Sequence, residues 1–578
     1  MNAFLFCLGL MPVAVILHRS ASEGTLPWRP CFADLSSCLV ASGLFAPLYC
    51  LSGRPAFALI LATMILLALR VANTAKKRAL RGEPLVITDL ALAWQVIRFP
   101  SLYLPFLPCG WILLGILIWG TLAGALWIVA CRETPAALWW VVAVAEPCCL
   151  LLILTPPGRR ITSRALAPFR LEFDPRKDAR QFGPLGAALL HGLWHLAHPP
   201  VPRKDADGFP LPPDATAWRP ALPPSVSPSP STVSGSSVDP SSSRETPPAP
   251  ERPSDLSSAP RASGTGGLGS REEPQIGAGN SAGPGILTGT SGREDGHLPN
   301  IFLVQAESFC DPRVFSAAVP ADVLACWDSL ISQGQSGLLQ TRAFGAYTLR
   351  TEYAVLTGMP PSSMGTYAFY PYLGALRHPV WSLAHHLRKL GYRTLCLHPF
   401  HREFFYRNRA MPNMGFDQFV TLENFPRREN WGPYVGDLCV ADAMLDLIHE
   451  GEGPVFCFAI TMESHGPWLP GRLRREFPGG DAPMLPDLDP AVCRYLEHLR
   501  HADQMLGRLR DGLAGADRPG ILGWYGDHLP NLPSLIRSGE TATPYVIWQT
   551  GAGAGDMIRR DIRPEDMGGC LLFRAGWR

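Results

Sequence analysis

The stretch Ile301-Phe302-Leu303-Val304-Gln305-Ala306-Glu307 is a short apolar run that stops at a carboxylate. Its length and composition are typical of a buried β-strand. Three later runs repeat the pattern, and each has a polar residue at or just beyond its end. They are Arg393 to Leu397, followed by His398; Val455 to Thr461, followed by His465; and Ile521 to Tyr525, followed by Asp527-His528. Ligands of open α/β sheets lie outside the carboxyl ends of the strands, so the four runs predict one shared site.

Helical patterns separate the strand-like runs. We assign them to Ala321–Gln333, Val380–Leu390, Asp437–His449 and Ala491–Leu513. Alternation of this kind predicts an α/β sheet with helices on both faces. We place this catalytic domain at residues 298–578.

The first 155 residues predict a transmembrane domain of five helices, because each apolar stretch approaches or reaches the roughly 20 residues that span a bilayer. The stretches are Ala3–Leu17, Cys31–Leu51, Ala56–Val71, Trp111–Cys131 and Ala137–Leu154. A cleaved signal peptide is the alternative for the first of them. The absence of a preceding charged region and the four further stretches argue against it.

Two segments of different composition connect the predicted domains. Residues 156–201 form a basic juxtamembrane segment with an apolar part, Phe182 to Ala197, which fits either a helix on the membrane surface or a cover for the catalytic domain. In residues 202–297 Pro, Ser, Gly and Thr dominate and aromatic residues nearly vanish. Such a segment buries too little apolar area to offset its ordering entropy, which predicts a disordered linker.

Net charge excludes one class of function and complicates the topology. The formal net charge of +2 over 578 residues argues against a nucleic-acid-binding protein. Positive charge is concentrated on the side that would also hold the C-terminal domain. The residues concerned are Lys76, Lys77, Arg78, Arg81, Arg98 and the cluster from Arg159 to Arg180. By the positive-inside rule, that side would face the cytoplasm.

Thr348 is the candidate nucleophile. It precedes a helical pattern that includes Glu352 and closes at Gly358, so it occupies the predicted N-cap position. A capping hydroxyl, which contributes about 1 kcal/mol, accounts for that position equally well. The free backbone N–H groups and the helix dipole at such a position also favour a phosphate. A threonine hydroxyl there, with a cation beside it, can attack phosphorus.

Glu307, Asp527 and His528 are the candidate metal ligands, with Thr348 completing the set. Carboxylates together with imidazole suit manganese, zinc or magnesium. A metal bound there would lower the pKa of the nucleophile and neutralise charge on a phosphoryl group.

Further candidates would bind substrate. His465 is positioned near a strand end to bind substrate or transfer a proton. His398 and His401 flank Pro399-Phe400, and the assignment of the substrate-contacting histidine between them stays open. Arg409, at the end of Tyr406-Arg407-Asn408-Arg409, could hold phosphate oxygens in a fork, although a solvated basic loop is the competing interpretation.

Together these residues resemble the lipoteichoic acid synthase and phosphoglycerol transferase I group within the alkaline phosphatase/sulfatase superfamily. Glu307 in Ala306-Glu307-Ser308-Phe309 looks like the first metal ligand of that family, and Thr348 followed by Glu352 looks like its nucleophile motif. Arg409 after Asn408 looks like its substrate-binding Asn-Arg. His465 matches its substrate histidine and Asp527-His528 its last ligand pair. Where the family has an aromatic residue directly before Asn-Arg, this chain has Arg407.

The resemblance implies a five-helix transmembrane domain and an α/β sulfatase-like catalytic domain with a central, mostly parallel sheet. It implies one divalent metal, Mn²⁺, with Mg²⁺ or Zn²⁺ as alternatives. It further implies a phosphoglycerol transferase in which Thr348 takes phosphoglycerol from phosphatidylglycerol or another phospholipid. A periplasmic or cell-surface glycan, or a polyglycerolphosphate, would accept the group from the phosphothreonine.

Location and two alternative activities complete the expectations. The resemblance implies a multi-pass protein of the inner (cytoplasmic) membrane with its catalytic domain outside, in the periplasm, against the charge distribution. A phosphoethanolamine transferase shares the threonine and the metal chemistry. A sulfatase-like membrane hydrolase is the other alternative, but the run at Thr348 lacks the Cys/Ser-x-Pro-x-Arg motif of true sulfatases.

Overall fold

A computed structural model describes most of the two predicted domains. The described residues are 2–21, 32–79, 82–103, 109–199, 209, 298–341, 347–425, 430–473, 482–537 and 539–577. Apart from Phe209, the linker predicted at 202–297 lies outside the described residues, so its disorder stays a prediction.

Helices occupy every stretch that was predicted to cross a membrane. The N-terminal helices are α1 (Asn2–Ala21), α2 (Phe32–Ser52), α3 (Pro55–Ala79), α4 (Asp89–Arg98), α5 (Pro100–Tyr103), α6 (Cys109–Val129), α7 (Ala137–Ile153), α8 (Pro156–Leu166), α9 (Pro175–Phe182) and α10 (Pro184–Ala197). Within the described residues, α2 and α3 are long and apolar enough to span a bilayer, and a bent pair formed by α7 and the helices after it would make three. The predicted count of five spans is therefore not confirmed.

The surface of α6 and α7 indicates a lipid environment. Leu117 is 66 % exposed, Ile128 81 % and Leu151 64 %, and further large apolar side chains of both helices are exposed beside them. Contiguous exposed apolar surface of this extent marks an interaction with a membrane or a partner. Together with the spans of α2 and α3, it identifies a membrane protein.

The C-terminal domain is built on an eight-stranded mixed sheet. The strands are β1 (Asn300–Ala306), β2 (Gln335–Leu339), β3 (Arg393–His398), β4 (Gln418–Thr421), β5 (Asn430–Trp431), β6 (Tyr434–Val435), β7 (Val455–Ile460), β8 (Gly520–Gly526), β9 (Thr543–Gln549) and β10 (Ile558–Arg559). The large sheet has the order β10-β2-β9-β8-β1-β7-β3-β4, and β5 pairs with β6 in a separate hairpin. Only the pairs of β9 with β2 and β8 are antiparallel in the large sheet, which confirms the prediction of a mostly parallel sheet.

Strand β1 lies at the centre of the sheet, between β7 and β8. Its parallel register places Gln305 opposite Ile460 and Ala306 opposite Gly526. All three strands are buried on both faces, as expected for parallel strands covered by helices. The residues that follow them therefore leave the sheet at the same edge.

The helices of this domain are α11 (Ala325–Ile331), α12 (Thr348–Thr357), α13 (Tyr372–Ala375), α14 (Leu383–Lys389), α15 (Arg407–Asn413), α16 (Asp437–His449), α17 (Pro490–Ala514) and α18 (Met567–Arg574). Helix α16 has the predicted bounds. Helix α14 begins three residues later than predicted because Ser382 is extended and its hydroxyl accepts a hydrogen bond from the backbone N–H of His385. The first turn predicted for α11 is a separate 3₁₀ turn, Ala321–Leu324.

Candidate metal and nucleophile site

Glu307, Asp527 and His528 converge at the carboxyl edge of the sheet. Glu307 follows β1, whereas Asp527 and His528 follow the adjacent parallel strand β8. All three side chains are buried, and one ligand atom from each lies within 4.8 Å of the others. The structure therefore brings together the three predicted metal ligands.

The hydrogen bonding of this group fits a bound cation. His528 Nδ1 donates to the carbonyl of Leu529 at 3.1 Å, which leaves the lone pair of Nε2 facing the carboxylates. Nε2 lies 3.3 Å from Asp527 Oδ2 and 3.6 Å from Glu307 Oε1. Asp527 Oδ2 is buried and has no hydrogen-bond partner among the described residues. A metal-binding histidine commonly directs its other nitrogen to a carbonyl in this way.

Electrostatics favour the same conclusion. Burial and the neighbouring Glu307 carboxylate raise the pKa of Asp527 to about 7. Burial alone would lower the pKa of His528, but the charges of Asp527 and Glu307 raise it above its ordinary value. Two carboxylates in one desolvated space repel each other, and a divalent cation between them would remove that repulsion.

Thr348 lies beside the Asp527 carboxylate, since its side chain is one of the neighbours that lower the pKa of Asp527 against the larger effect of burial. Thr348 is the first residue of α12, and Tyr347, with φ of 64°, is the N-cap. The predicted cap position was therefore wrong by one residue. The hydroxyl of Thr351, one turn later, donates instead to the backbone carbonyl of Asp527 at 2.8 Å. Both threonines thus lie against Asp527: Thr351 bonds its backbone carbonyl, and Thr348 lies beside its carboxylate.

Glu352 has a structural role that the motif alone did not indicate. Its carboxylate accepts two hydrogen bonds from Arg407, from Nη2 at 2.6 Å and from Nε at 3.1 Å. It also accepts from Gln305 Nε2 at 3.1 Å and from the hydroxyl of Tyr372. Every member of this network is buried. Glu352 therefore fixes α12, the helix that begins at the candidate nucleophile Thr348, to β1 and α15.

His398 and Arg407 are in direct contact. Arg407 Nη1 donates to His398 Nε2 at 3.2 Å, and His398 Nδ1 donates to the carbonyl of Ile460 at 3.2 Å. Burial and the Arg407 charge hold the pKa of His398 well below its usual range, so the ring is neutral. His398 thus belongs to the buried network that links Arg407 to Glu352 of α12.

Arg409 and His401 lie apart from this buried network. Arg409 is exposed on α15, and Nη2 donates to the carbonyl of Leu376 at 3.4 Å. His401 is exposed as well, and its ring stacks on Phe99 of the juxtamembrane segment with centroids 5.3 Å apart. Arg407, rather than Arg409, is the arginine of this segment that enters the interior.

His465 directly precedes Gly466, which lines a large cavity. Its Nδ1 donates to the carbonyl of Gly466 at 2.8 Å, and its ring packs edge-on against Tyr434. The cavity, of about 660 Å³, begins at Gly466 and has aromatic and cationic walls. Its walls include Arg98, Phe99, Phe400, His401, Tyr434 and Arg472. This is the size range of small-molecule binding sites.

A second group of potential ligands, which we did not predict, comprises Glu463, His498 and His501. Glu463 Oε1 accepts from Nδ1 of His498 at 2.9 Å and from Nδ1 of His501 at 2.5 Å. His498 Nε2 accepts from Arg472 Nε at 2.8 Å. A metal on Nδ1 of His498 would require a proton on Nε2, directly facing this N–H donor. The ring nitrogens of His498 and the Glu463 carboxylate therefore already have hydrogen-bond partners, and we interpret the three residues as a structural support.

Arg472 connects this support to the His465 loop. Its guanidinium donates to the carbonyls of Glu463, Pro467 and His465 at 2.9, 2.9 and 2.6 Å. Since the same side chain also bonds His498, it fixes the backbone on both sides of His465. The signal for this role was weak in the sequence, because Arg472 lies in an irregular segment.

Comparison with protein families identifies the domain that carries this site. Residues 299–572 match the Sulfatase family model. The match spans nearly the whole C-terminal domain, which is called the sulfatase domain from here on. This confirms the resemblance found in the sequence, and the candidate metal ligands and Thr348 lie within the matched range.

Curated relatives and solved structures match the same part of the chain. The capsular polysaccharide biosynthesis protein RkpI of Rhizobium meliloti (strain 1021) is 38 % identical over 241 residues, which cover 41 % of this chain and 42 % of that protein. A putative cyclic beta-1,2-glucan modification protein of the same strain is 29 % identical over 302 residues, which cover 48 % of this chain and 46 % of that protein. The chain thus aligns with about half the length of these relatives. The phosphoglycerol transferase GacH of Streptococcus pyogenes superposes with a TM-score of 0.39 at 23 % identity, covering 48 % of this chain and 74 % of that one. The lipoteichoic acid synthase LtaP of Listeria monocytogenes superposes with a TM-score of 0.41 at 20 % identity, covering 49 % of this chain and 73 % of that one.

We expect the sulfatase domain to bind one divalent metal per chain, and Asp527→Asn to weaken that binding strongly. Asparagine keeps an oxygen for the backbone N–H groups of Ser308 and His528, which bond Asp527 Oδ1 at 2.8 Å, but removes the negative charge. The loss of affinity should be at least about 10- to 100-fold, the range typical for outer-shell partners of a metal. Elemental analysis and Mn²⁺ titration calorimetry on the full-length protein measure it.

Glu463→Gln tests the second group: its amide oxygen can still accept hydrogen bonds from His498 and His501, but its NH2 would face the backbone N–H of Asp437, which now bonds Oε2 at 2.7 Å, so folding is checked by a melting curve. This variant should keep one metal per chain. Loss of the metal in Glu463→Gln together with retention in Asp527→Asn would assign the ion to the other group.

Proposed function

We propose that the chain is a membrane-bound, metal-dependent phosphoglycerol transferase. It takes phosphoglycerol from phosphatidylglycerol and passes it to a glycan or polyglycerolphosphate through a phosphothreonine at Thr348. One observation carries the proposal: Thr348, the first residue of a helix, lies beside Asp527 of the Glu307–Asp527–His528 group. A hydroxyl, a cation site and free helix N–H groups at one place are what phosphoryl transfer requires.

In the first step, Thr348 Oγ forms a bond to the phosphorus of the donor, and the bond from phosphorus to the diacylglycerol oxygen breaks. The hydroxyl proton is released to solvent. The departing oxygen takes a proton, for which His465 is the proposed donor. Glu307, Thr348, Asp527 and His528 would hold a divalent metal, which when bound would neutralise charge on the phosphoryl oxygens and lower the pKa of the hydroxyl.

In the second step, an acceptor hydroxyl oxygen forms a bond to phosphorus while the bond to Thr348 Oγ breaks. His465 takes the proton of the acceptor, and the Thr348 oxygen takes a proton from solvent. The chain then holds the same protons as before the first step. Substrate binding is proposed for His465, Arg409, His398 and His401 as the resemblance implies. Of these, His398 is buried against Arg407, so we favour His401 as the histidine that meets substrate.

A glycan acceptor is supported by the two relatives whose names refer to a capsular polysaccharide and to modification of a glucan. The aromatic walls of the cavity beside His465, with Phe99, Phe400 and Tyr434, suit the apolar face of a sugar ring. We also propose that the protein lies in the inner membrane with its sulfatase domain in the periplasm, where both the lipid and the glycan are accessible.

The donor is tested with purified full-length protein in vesicles that contain head-group-labelled phosphatidylglycerol or phosphatidylethanolamine, each with Mn²⁺. We expect diacylglycerol release and a labelled protein with phosphatidylglycerol, and neither with chelator. Peptide mapping should locate the label on Thr348. Addition of a periplasmic glucan fraction should then release the label from the protein to the glucan.

Release of diacylglycerol from phosphatidylethanolamine alone would contradict the proposed donor and favour the phosphoethanolamine transferase. Failure to cleave either lipid, in protein that holds its metal, would contradict the transferase function.

A further inference from the structure

A second juxtamembrane segment, distinct from residues 156–201, comprises residues 83–99 and includes α4; it contacts α12, the helix that begins at Thr348, directly. The guanidinium of Arg350 bonds the Glu83 carboxylate through two parallel hydrogen bonds, from Nη2 at 2.8 Å and from Nη1 at 3.0 Å. Its third donor, Nε, bonds the carbonyl of Phe369 at 3.0 Å. A bidentate arginine–carboxylate pair fixes orientation as well as distance. The Glu83 carboxylate and the Phe369 carbonyl together fix the orientation of the Arg350 guanidinium.

Tyr347 forms the second connection. Its hydroxyl donates to Asp89 Oδ1 at 3.0 Å, and its ring lies beneath the Arg350 guanidinium, with 3.8 Å from the guanidinium carbon to the ring centroid. Lys76 of α3 completes the network: its ammonium lies 2.7 Å from Asp89, 3.3 Å from Glu83 and 5.2 Å from the centre of the Tyr347 ring. Tyr347 holds a left-handed backbone conformation, with φ of 64°, which a tyrosine rarely adopts unless its surroundings require it.

The network is closed and electrically balanced. Two cations, Lys76 and Arg350, face two carboxylates, Glu83 and Asp89, and all four are at least largely buried. Although burial alone would raise the pKa of Glu83, the charges of Arg350 and Lys76 lower it to about 2. Glu83 is therefore ionised throughout the physiological range. Removing one member leaves a desolvated charge without its partner, which is far more costly than losing a surface ion pair.

Tyr347 and Arg350 lie on either side of Thr348 in the chain. One is the N-cap of α12 and the other belongs to its first turn, so the network holds the backbone that carries the nucleophile. We propose that Glu83 and Asp89 are positioning residues for Thr348: the juxtamembrane segment keeps its hydroxyl against Asp527 through Tyr347 and Arg350. The inference rests on the proposed role of Thr348 as nucleophile. The membrane part of the chain then completes the active site instead of only anchoring it.

A second contact between the same two parts of the chain provides the matched control. Arg98 Nη2 lies 3.5 Å from Glu403 Oε1, and both side chains are substantially exposed, at 46 % and 30 %. Glu403 is remote in sequence from Thr348 and does not line the cavity beside His465. Glu403→Gln therefore weakens an ion pair to the juxtamembrane segment without touching the network around the nucleophile.

The test uses full-length protein in nanodiscs, with Glu83→Gln, Asp89→Asn and Glu403→Gln. The first measurement is amide hydrogen exchange of residues 347–357, which requires no assumption about the reaction. The second is kcat and KM for the soluble diester bis(p-nitrophenyl) phosphate, which needs no lipid delivery. Glu83→Gln and Asp89→Asn should exchange faster at 347–357 and lose about 10- to 100-fold in kcat, because small misplacements of reacting groups have effects of this size. KM and bound metal should stay within about twofold of wild type.

The double variant Glu83→Gln with Arg350→Gln should have nearly the same kcat as the slower of the two single variants, because both changes break the same contact. Glu403→Gln should match wild type in every measurement. Unchanged exchange and unchanged kcat in both Glu83→Gln and Asp89→Asn would overturn the inference, as would a loss seen with the phospholipid but not with the soluble diester. If wild type cleaves neither substrate, the proposed function fails, and faster exchange in the two variants still establishes the structural link.

Discussion

Full-length protein carrying Thr348→Ala should release diacylglycerol from phosphatidylglycerol on the order of 10⁴-fold or more slowly than wild type, the scale of losses seen when an enzyme loses its nucleophile. No covalent phosphothreonine can form without the hydroxyl. Stability should change by only about 1 kcal/mol, since the variant loses a single hydroxyl group, beside Asp527. Diacylglycerol release and protein labelling measure the first effect, and a melting curve measures the second.

Two further variants distinguish a nucleophilic role of the Thr348 hydroxyl from a helix-capping role. Thr348→Ser keeps a hydroxyl and should retain measurable labelling. Thr351→Val removes the neighbouring hydroxyl, which bonds the backbone of Asp527, and should lower stability while labelling at Thr348 persists. Labelling that survives Thr348→Ala but disappears in Thr351→Val would transfer the nucleophile to Thr351.

The second large effect is expected in stability, from Arg407→Met. Glu352 would remain buried without its cation, and breaking a buried pair in this way costs about 3–5 kcal/mol. For a domain of this size, a change of 1 kcal/mol shifts the melting temperature by roughly 2–4 °C, so the apparent midpoint should fall by roughly 6–20 °C. Thermal unfolding in detergent, followed by circular dichroism, measures the shift.

Arg409→Met is the matched control, because Arg409 is exposed two residues later on the same helix. Its stability should stay within about 0.5 kcal/mol of wild type. A loss of kcat/KM in Arg409→Met at unchanged stability would support the substrate role that the sequence resemblance gives Arg409. Combining Arg407→Met with Glu352→Gln should recover part of the lost stability, and a double variant less stable than either single one would contradict the ion-pair explanation.

The architecture of the catalytic domain was largely predictable, because its signals are local. Runs such as Ile301 to Gln305 and Ile521 to Tyr525 are too apolar for surface segments, and they became the central strands β1 and β8. The end of each run marked the site edge, which is why Glu307, Asp527 and His528 could be named. The number of membrane spans was harder to predict, since stretches such as Ala3–Leu17 are shorter than the usual thickness of the bilayer core requires.

The supporting residues were not predictable, because their partners are remote in sequence. Glu83 meets Arg350 across 267 positions, and Glu352 meets Arg407 across 55. No periodicity relates such pairs, so Glu83 could only be interpreted as a loop carboxylate. Likewise, the tripeptide Arg407-Asn408-Arg409 offers two arginines, and only the packing of α15 decides which one is buried.

Strand β2 has a consequence for the order in which the domain is assembled. In the large sheet it pairs only with β9 and β10, and Gln335 meets Ile547 more than 200 residues later in the chain. At about 5–20 residues per second, synthesis of the intervening chain takes roughly 10–40 s. Throughout that time β2 has no partner strand within its own sheet, and its edge is open to pairing with other chains. If the domain is exported as proposed, the emerging chain depends on shielding during its transfer, and a translation pause before Thr543 would promote aggregation while a pause after Arg559 would not.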